Sequence, residues 1–170
     1  MAAIIVTILL TLDQLTKGLV ERFLGPGESI VVISDFFQIR MSKNTGAAWG
    51  FLSGVSWGIH ILSLLSFLMS LLIIYWIKGT EDKKARLVMA LILAGSLGNL
   101  IDRVRIGAVT DFLMFNFGSY YFPSFNVADM CITIGAGLLI LFAIIDKHFV
   151  NNLLRIDDTV STPGADDDAA

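Results

Sequence analysis

Apolar residues along this chain fall into four long segments separated by stretches that are richer in polar residues. The segments cover about residues 2–24, 57–77, 87–104 and 127–145. Each is close to the roughly 20 apolar residues that a helix needs to cross the hydrocarbon core of a bilayer. The pattern therefore predicts four transmembrane helices.

Four glycines lie in the third and fourth segments: Gly95, Gly98, Gly135 and Gly137. Small residues at these positions favour close approach of neighbouring helices. The alternative is that they only reflect the frequency of glycine in membrane helices.

Composition supports a membrane protein. Of the 170 residues, 55% are hydrophobic and 16% are charged, whereas soluble domains carry about 25% charged residues. We predict one integral membrane domain over residues 1–156 and a disordered acidic tail over residues 157–170. No lysine or arginine precedes the first apolar segment, so we interpret it as a retained span rather than a cleaved signal peptide.

Basic residues are densest between the second and third segments. Lys78, Lys83, Lys84 and Arg86 fall within nine consecutive residues, and such density marks the cytoplasmic side of a membrane protein. We therefore predict that both termini are cytoplasmic. The connections before the second segment and before the fourth then lie on the opposite, external face.

The external connections carry their own patterns. Ile30–Ile33 and Phe36–Met41 read as short strands and, with the later Trp49 and Phe51, predict a small sheet on the membrane surface. Residues 112–125 are rich in aromatic side chains, which favour the membrane interface. This aromatic segment is interpreted as a loop that serves either as a lid over a site or as a plain anchor.

Two aspartates flank the aromatic segment. Asp111 follows the third apolar segment and Asp129 begins the fourth, so the reversing connection returns both carboxylates to one membrane face. An ionisable group at membrane depth is a functional-site hypothesis by default. Two carboxylates in contact cannot both ionise easily, which is the principle of an aspartic protease dyad. The alternative is that each aspartate only caps a helix.

Further polar residues are predicted at the same depth. Asn99, Asp102 and Arg103 end the third segment, Asn126 precedes Asp129, and Asn44 lies in the first external connection. The planar guanidinium of Arg103 suits a carboxylate or a lipid phosphate. It could equally extend to the headgroups without a specific partner.

Asp13 and Lys17 are four residues apart in the first segment, so they share one helix face. They are either a self-neutralising pair without a chemical role or a support that orients the site.

Other kinds of function find less support. A proton-coupled transporter would also use intramembrane charges, but it would usually show internal repeats, and the two halves show none. A structural subunit would use its charges only to pair helices. His60 and His148 are too far apart in the topology for a metal site, the single Cys131 excludes an internal disulfide, and no basic stripe indicates nucleic acid.

Four motifs then resemble, in order, the sequence blocks of bacterial lipoprotein signal peptidases, also called signal peptidase II. They are Asp13-Gln-Leu-Thr-Lys17; Asn44-Thr-Gly-Ala-Ala48; Gly98-Asn-Leu-Ile-Asp-Arg103 with Gly107-Ala-Val-Thr-Asp-Phe112; and Phe125-Asn-Val-Ala-Asp129. The resemblance spans roughly residues 10–145. It departs from the family pattern at Trp49, where phenylalanine is more usual, and in the acidic tail.

The resemblance implies an inner-membrane aspartic endopeptidase with the fold of a four-helix transmembrane bundle, all-α apart from a small external β-cradle. Its substrates would be diacylglyceryl-modified prolipoproteins, cut just before the lipobox cysteine, and its other partners membrane lipids. It implies a catalytic dyad of Asp111 and Asp129. Because two carboxylates can supply acid, base and electrophile, we expect no metal or cofactor, and we expect a monomer. The supporting positions that the resemblance implies are Asn44, Gly46, Asn99, Arg103, Asn126 and Ala128, with Asp13 and Lys17 stabilising them.

Overall fold

The computed structural model describes residues 1–46, 52, 54, 55, 57–146 and 148–154. The helices are α1 (Ala2–Phe23), α2 (Gly58–Gly79), α3 (Lys83–Ile106), α4 (Val127–Ile145) and the short α5 (Phe149–Leu154); the strands are β1 (Ser29–Ile33), β2 (Phe37–Asn44), β3 (Val109–Phe117) and β4 (Tyr120–Tyr121). The predicted positions of Trp49 and Phe51 and the predicted disorder of residues 157–170 lie outside the described residues.

Four helices, α1 to α4, are long and apolar enough to cross a membrane. Three of them end within two residues of the predicted segments, whereas α3 starts at Lys83 and not near residue 87. The earlier start has a physical cause, because Asp82 Oδ1 accepts the backbone N–H groups of Lys84 at 2.7 Å and Ala85 at 2.9 Å. This N-cap lets the charged residues form the first turn.

Helix α3 lies at the centre of the bundle. In its most apolar stretch of 18 residues, half of the residues are buried inside the protein, against 17% in the corresponding stretch of each of the other three spans. Its buried face is built mostly of small and aliphatic side chains, while α1, α2 and α4 expose large ones. The exposed apolar faces suit contact with lipid, because in a bilayer the polar groups must turn inward.

Three of the four glycines that were considered for close helix packing have neighbouring atoms that leave no room for a side chain. A Cβ added at Gly95 would meet the carbonyl oxygen of Ala128, one at Gly98 would lie 2.5 Å from Asp13 Oδ2, and one at Gly135 would lie 2.7 Å from Ile92 Cγ1. Gly137 has open space around it, so the close-packing prediction is wrong there.

The strands form one antiparallel sheet in the order β1-β2-β3-β4. Strand β2 begins one residue later and ends three residues later than predicted. The prediction of a loop over residues 112–125 is wrong for its first half, which is strand β3, followed by the two-residue β4. Both faces of β3 are largely apolar, so the alternation that marks a half-exposed strand is missing from the sequence.

The chain places the sheet at one end of the bundle. All four strands lie in the connections between α1 and α2 and between α3 and α4, while the α2–α3 turn and α5 lie at the other end. There Phe149 is fully buried in a cluster with Ile73, Val88 and Leu93. The sheet end is therefore the end where the polar residues of α3 and the start of α4 meet.

Candidate active site

Asp111 and Asp129 reach the sheet end of the bundle from different elements. Asp111 lies near the start of strand β3, so the helix-cap alternative is wrong for it. Asp129 is the third residue of α4 and forms a capping box with Asn126, each side chain accepting the other residue's backbone N–H, at 2.9 and 3.2 Å. A cap therefore fixes Asp129, and the position also places its carboxylate near the positive end of the helix dipole.

Asn126 connects the two aspartates. Its Nδ2 donates to Asp111 Oδ1 at 2.7 Å and to Asn99 Oδ1 at 3.2 Å, while its Oδ1 accepts the backbone N–H of Asp129. The residue is fully buried. Both amide hydrogens and the amide oxygen are thus used, which leaves the side chain one orientation.

The pairing of β2 with β3 brings in the connection between α1 and α2. Ser42 lies opposite Asp111, and two residues further along Asn44 Nδ2 donates to Asp111 Oδ2 at 3.0 Å. The Asn44 amide oxygen in turn accepts the backbone N–H of Gly46 at 2.9 Å. Each carboxylate oxygen of Asp111 therefore accepts a bond from a different asparagine.

Lys17 is the hub of a buried polar cluster beneath the two aspartates. Its Nζ lies 2.9 Å from Asp13 Oδ2, 3.1 Å from Asp102 Oδ2 and 3.1 Å from Asn99 Oδ1, and the side chain is completely buried. An ammonium has three donors, and all three are satisfied. The interpretation of Asp13 and Lys17 as a pair on their own is therefore too narrow, since α3 supplies two more members.

The Lys17 ammonium also sets the orientation of Asn99. Because an ammonium only donates, the Asn99 amide oxygen must face it, and the Asn99 Nδ2 then points the other way. That Nδ2 donates to Asp129 Oδ1 at 2.8 Å. A chain of contacts thus runs from the α1 lysine to the Asp129 carboxylate.

Ala128 contributes its backbone. Its N–H donates to Asp13 Oδ1 at 2.8 Å, and the residue is buried against α3. This contact satisfies one of the free N–H groups at the start of α4 and ties that start to α1. It also gives Asp13 a second function beside its ion pair with Lys17.

Arg103 closes another side of the site. Its Nη2 contacts the Gly46 carbonyl oxygen at 3.5 Å and its Nη1 contacts Ser66 Oγ at 3.4 Å. Its Nε is buried and has no hydrogen-bond partner among the described residues. The guanidinium therefore contacts protein groups from two parts of the chain and lies near the charges of Asp129 and Asp111.

Electrostatics at the site favour a proton on Asp111. Burial, and secondarily the Asp129 carboxylate, raise the pKa of Asp111 to about 7. The hydrogen bonds from Asn44 and Asn126 act in the opposite direction but are outweighed. Only about 3% of Asp111 is exposed, whereas Asp129 is half-buried. The site can therefore hold one protonated and one ionised carboxyl group near neutral pH.

All ten predicted site residues fall into this one network, together with Asp102, which the sequence places at the same depth, and with Gln14 and Glu21, which it does not single out. Asp102 also accepts the backbone N–H of Thr110 at 3.1 Å, and Gln14 Nε2 donates to Asp102 Oδ1 at 3.3 Å. Glu21 continues the four-residue spacing of Asp13 and Lys17 along α1. That spacing was the available signal. No group of three His, Cys, Asp or Glu side chains in the described part of the chain could hold a metal ion.

Comparison with known proteins gives a consistent result. The sequence model of the family described as "Signal peptidase (SPase) II" matches residues 5–145. A lipoprotein signal peptidase of Bacillus pumilus is 39% identical over 145 residues, which cover 84% of this chain and 92% of the relative. One of Syntrophus aciditrophicus is 41% identical over 143 residues, with 82% and 86% covered.

Solved structures of bacterial membrane enzymes share the fold. One, determined by the in meso method at 2.3 Å resolution, has a TM-score of 0.78 at 33% identity and covers 86% of this chain and 88% of its own. Another, at 1.9 Å, has a TM-score of 0.75 at 33% identity, with 85% and 93% covered. Sequence and fold agree over most of the chain, and this multi-pass bacterial membrane protein therefore belongs to the signal peptidase II family.

Proposed function

We propose that the chain is an aspartic endopeptidase that removes the signal peptide from diacylglyceryl-modified prolipoproteins, cutting just before the modified cysteine. The observation that carries the proposal is the asparagine bridge between two carboxylates on different elements, one of which retains a proton up to about pH 7. The lipoprotein substrate class comes from the names of the relatives.

The two carboxyl groups take different roles. Asp111 is the more buried and acts as the acid, because its raised pKa keeps it protonated near neutral pH. Asp129 is half-buried, accepts a bond from Asn99 and lies at a helix N-terminus, so it acts as the base that receives water. The hydrogen bonds from Asn126 to Asp111 and from Asn99 to Asp129 fix the positions of the two carboxyl groups.

Hydrolysis then follows the scheme of a carboxylate dyad. Asp129 removes a proton from water, whose oxygen bonds to the scissile carbonyl carbon, while Asp111 donates its proton to the carbonyl oxygen. The resulting diol collapses: the carbon–nitrogen bond breaks, the amine of the cysteine takes a proton from Asp129, and Asp111 recovers its proton from the diol hydroxyl. The signal peptide leaves with a new carboxyl group.

Arg103 and Gly46 are proposed to line the substrate path. The Nε of Arg103, which has no partner in the part of the chain that the structure describes, is a donor in a buried setting, where such a group is costly unless a ligand satisfies it. A peptide carbonyl or a glycerol ester oxygen of the substrate supplies that acceptor. The contact of Arg103 with the Gly46 carbonyl fixes the guanidinium for this purpose.

We further propose that the site faces the extracytoplasmic side and that both termini are cytoplasmic. The basic cluster of residues 78–86 lies at the end opposite the sheet. At the sheet end, Lys43 and Arg105 share the carboxylate of Glu21. Four consecutive aliphatic side chains of β1, from Ile30 to Ile33, are between 51% and 62% exposed, which suits a sheet resting on the bilayer that delivers the lipidated substrate.

The substrate claim is tested with a synthetic lipobox peptide, presented in detergent with and without the diacylglyceryl group, and mass spectrometry of the products. We expect cleavage on the N-terminal side of the modified cysteine and no comparable cleavage of the unmodified peptide. Equal turnover of both peptides, or a cut elsewhere, would overturn the proposed specificity.

A further inference from the structure

Glu21, which no motif of the sequence singled out, organises an ion cluster at the junction of bundle and sheet. We propose that Glu21 is a positioning residue for the reaction: it holds strands β2 and β3 against α1 and so sets the Asp111 carboxylate opposite Asp129. The inference rests on the proposed function, because it assigns Glu21 a role in aligning that dyad.

One carboxylate oxygen of Glu21 gathers three donors from three other elements. Its Oε1 lies 2.7 Å from Lys43 Nζ of β2, 2.9 Å from Arg105 Nη2 of α3 and 2.5 Å from Thr110 Oγ1 of β3. Lys43 Nζ also donates to Thr110 Oγ1 at 2.9 Å. With Glu21 on α1, four elements therefore meet at a single oxygen.

Two of the three donors, Lys43 and Thr110, directly precede residues that bind or form the dyad. Lys43 and Thr110 face each other in the β2–β3 register, Asn44 follows Lys43, and Asp111 follows Thr110. Successive side chains of a strand point to opposite faces. The ion cluster around Glu21 therefore lies on one face of the sheet, whereas the side chains of Asp111 and Asn44 project from the other face.

Thr110 is fixed twice. Its side-chain hydroxyl donates to Glu21, its backbone N–H donates to Asp102 Oδ2 at 3.1 Å, and it is completely buried. Asp102 in turn pairs with Lys17, one turn before Glu21 on α1. Two acidic groups therefore hold Thr110, the residue that precedes Asp111. Asp102 binds its backbone N–H, and Glu21 binds its side-chain hydroxyl.

Loss of Glu21 would leave two cations, Lys43 and Arg105, beside each other without the oxygen that both contact. The hydrogen bonds that tie β2 and β3 to α1 would then be lost at the point where Asp111 follows Thr110. A displacement of catalytic groups by about 1 Å can lower a rate by about 100-fold. The expected defect therefore lies in the chemical step and not in substrate binding.

The test measures kcat and KM for the lipidated lipobox peptide. The variants are Glu21→Ala, Glu21→Gln, Thr110→Val and the double variant that combines Glu21→Ala with Thr110→Val. Glutamine keeps an oxygen that can accept from Thr110 and Lys43 but lacks the charge. Asp146→Asn is the matched control, because it removes the carboxylate of a surface ion pair, 2.8 Å from Lys84, at the other end of the bundle. Thermal unfolding in detergent reports folding for each variant.

We expect Glu21→Ala to lower kcat about 10- to 100-fold with KM within about twofold, and Glu21→Gln to recover most of the loss. The double variant should lose little more than Glu21→Ala alone, because both changes cut the same contact. Asp146→Asn should keep wild-type kcat.

Wild-type kcat in folded Glu21→Ala, a loss confined to KM, or fully additive losses in the double variant would overturn the inference. Asp111→Asn, assayed in parallel, separates this claim from the proposed function. If Asp111→Asn is inactive and Glu21→Ala is not impaired, only the positioning role fails; if Asp111→Asn is fully active, the dyad itself fails.

Discussion

The Nδ2 atom of Asn126 donates a 2.7 Å hydrogen bond to Oδ1 of Asp111. The donor is the residue that caps helix α4, and the acceptor belongs to a strand of the surface sheet. One amide therefore fixes the relation between the bundle and the sheet at the point where the proposed chemistry takes place. The predictions below test this relation, its support and its electrostatic consequence.

Asn126→Ala should lower cleavage about 100-fold, because it releases Asp111 and removes the cap that orients Asp129. The lost cap should also lower the free energy of unfolding by about 1 kcal/mol. Steady-state cleavage and thermal unfolding measure the two effects. Asn152→Ala, at the opposite end of the bundle, is the control; an equal loss of activity there would argue against a specific role for Asn126.

Gly95→Ala and Gly137→Ala make a matched pair within the membrane. A methyl group at Gly95 would meet the carbonyl oxygen of Ala128 and push the start of α4 away from α3, whereas one at Gly137 would meet open space. Overpacking costs about 1–3 kcal/mol, so we expect Gly95→Ala to lower the melting temperature and cleavage. Gly137→Ala should leave cleavage unchanged without lowering the melting temperature, because alanine is the better helix former. Equal behaviour of the two variants would contradict the packing at Gly95.

Lys17→Met should be strongly destabilising, by about 3–5 kcal/mol, because Asp13 and Asp102 would then be buried without a cation. Adding Asp13→Asn removes one of the stranded charges and should recover part of the loss. Chemical unfolding in mixed micelles measures both. The idea of a buried charge hub fails if Lys17→Met unfolds like the wild type.

Stability should fall with rising pH because of Asp111. Its pKa is raised from its ordinary value of 3.8 to about 7, so between these values the folded state binds more protons than the unfolded state. The loss is at most about 1.4 kcal/mol per pH unit and ends above about pH 7. Compared at each pH, Asp111→Asn should therefore gain relative stability from about pH 4 to about pH 7. A constant difference between the two proteins would contradict the raised pKa.

The same titration should appear in the rate. Above about pH 7 Asp111 loses the proton that it donates to the scissile carbonyl, so kcat/KM for the lipidated peptide should decline on the alkaline side. A pH–rate profile measures this limb. A rate that rises steadily through pH 9 would exclude Asp111 as the acid.

The four spans could be predicted because burial in lipid requires long apolar runs, and their ends agree within about two residues except at Lys83. The start of α3 could not be predicted from hydropathy, because its first turn is charged and depends on the Asp82 cap. The sequence predicts a loop where most of strand β3 lies for a related reason: Phe112 and Met114 are buried on the face opposite Asp111, so polar and apolar residues do not alternate.

The site residues could be chosen from the sequence because polar groups at the ends of apolar segments are few. Their pairing could not be predicted. Lys17 contacts Asn99 across 82 residues, and Asn44 contacts Asp111 across 67, so each contact depends on helix packing and strand register. The sequence does not single out Glu21, because an acidic residue at a helix end next to Arg22 is typical of a solvated face, and only the fold shows its three donors.

The central claim is that two carboxylates, Asp111 and Asp129, cleave the peptide bond by activating water. The most direct measurement is the single-turnover cleavage rate of the diacylglyceryl lipobox peptide by Asp111→Asn and Asp129→Asn, with Asp146→Asn as the control for the same chemical change. Loss of an acid or a base typically costs 10²- to 10⁴-fold. We predict that each dyad variant folds and loses at least about 100-fold in rate while the control cleaves normally. A wild-type rate in either folded dyad variant would contradict the account.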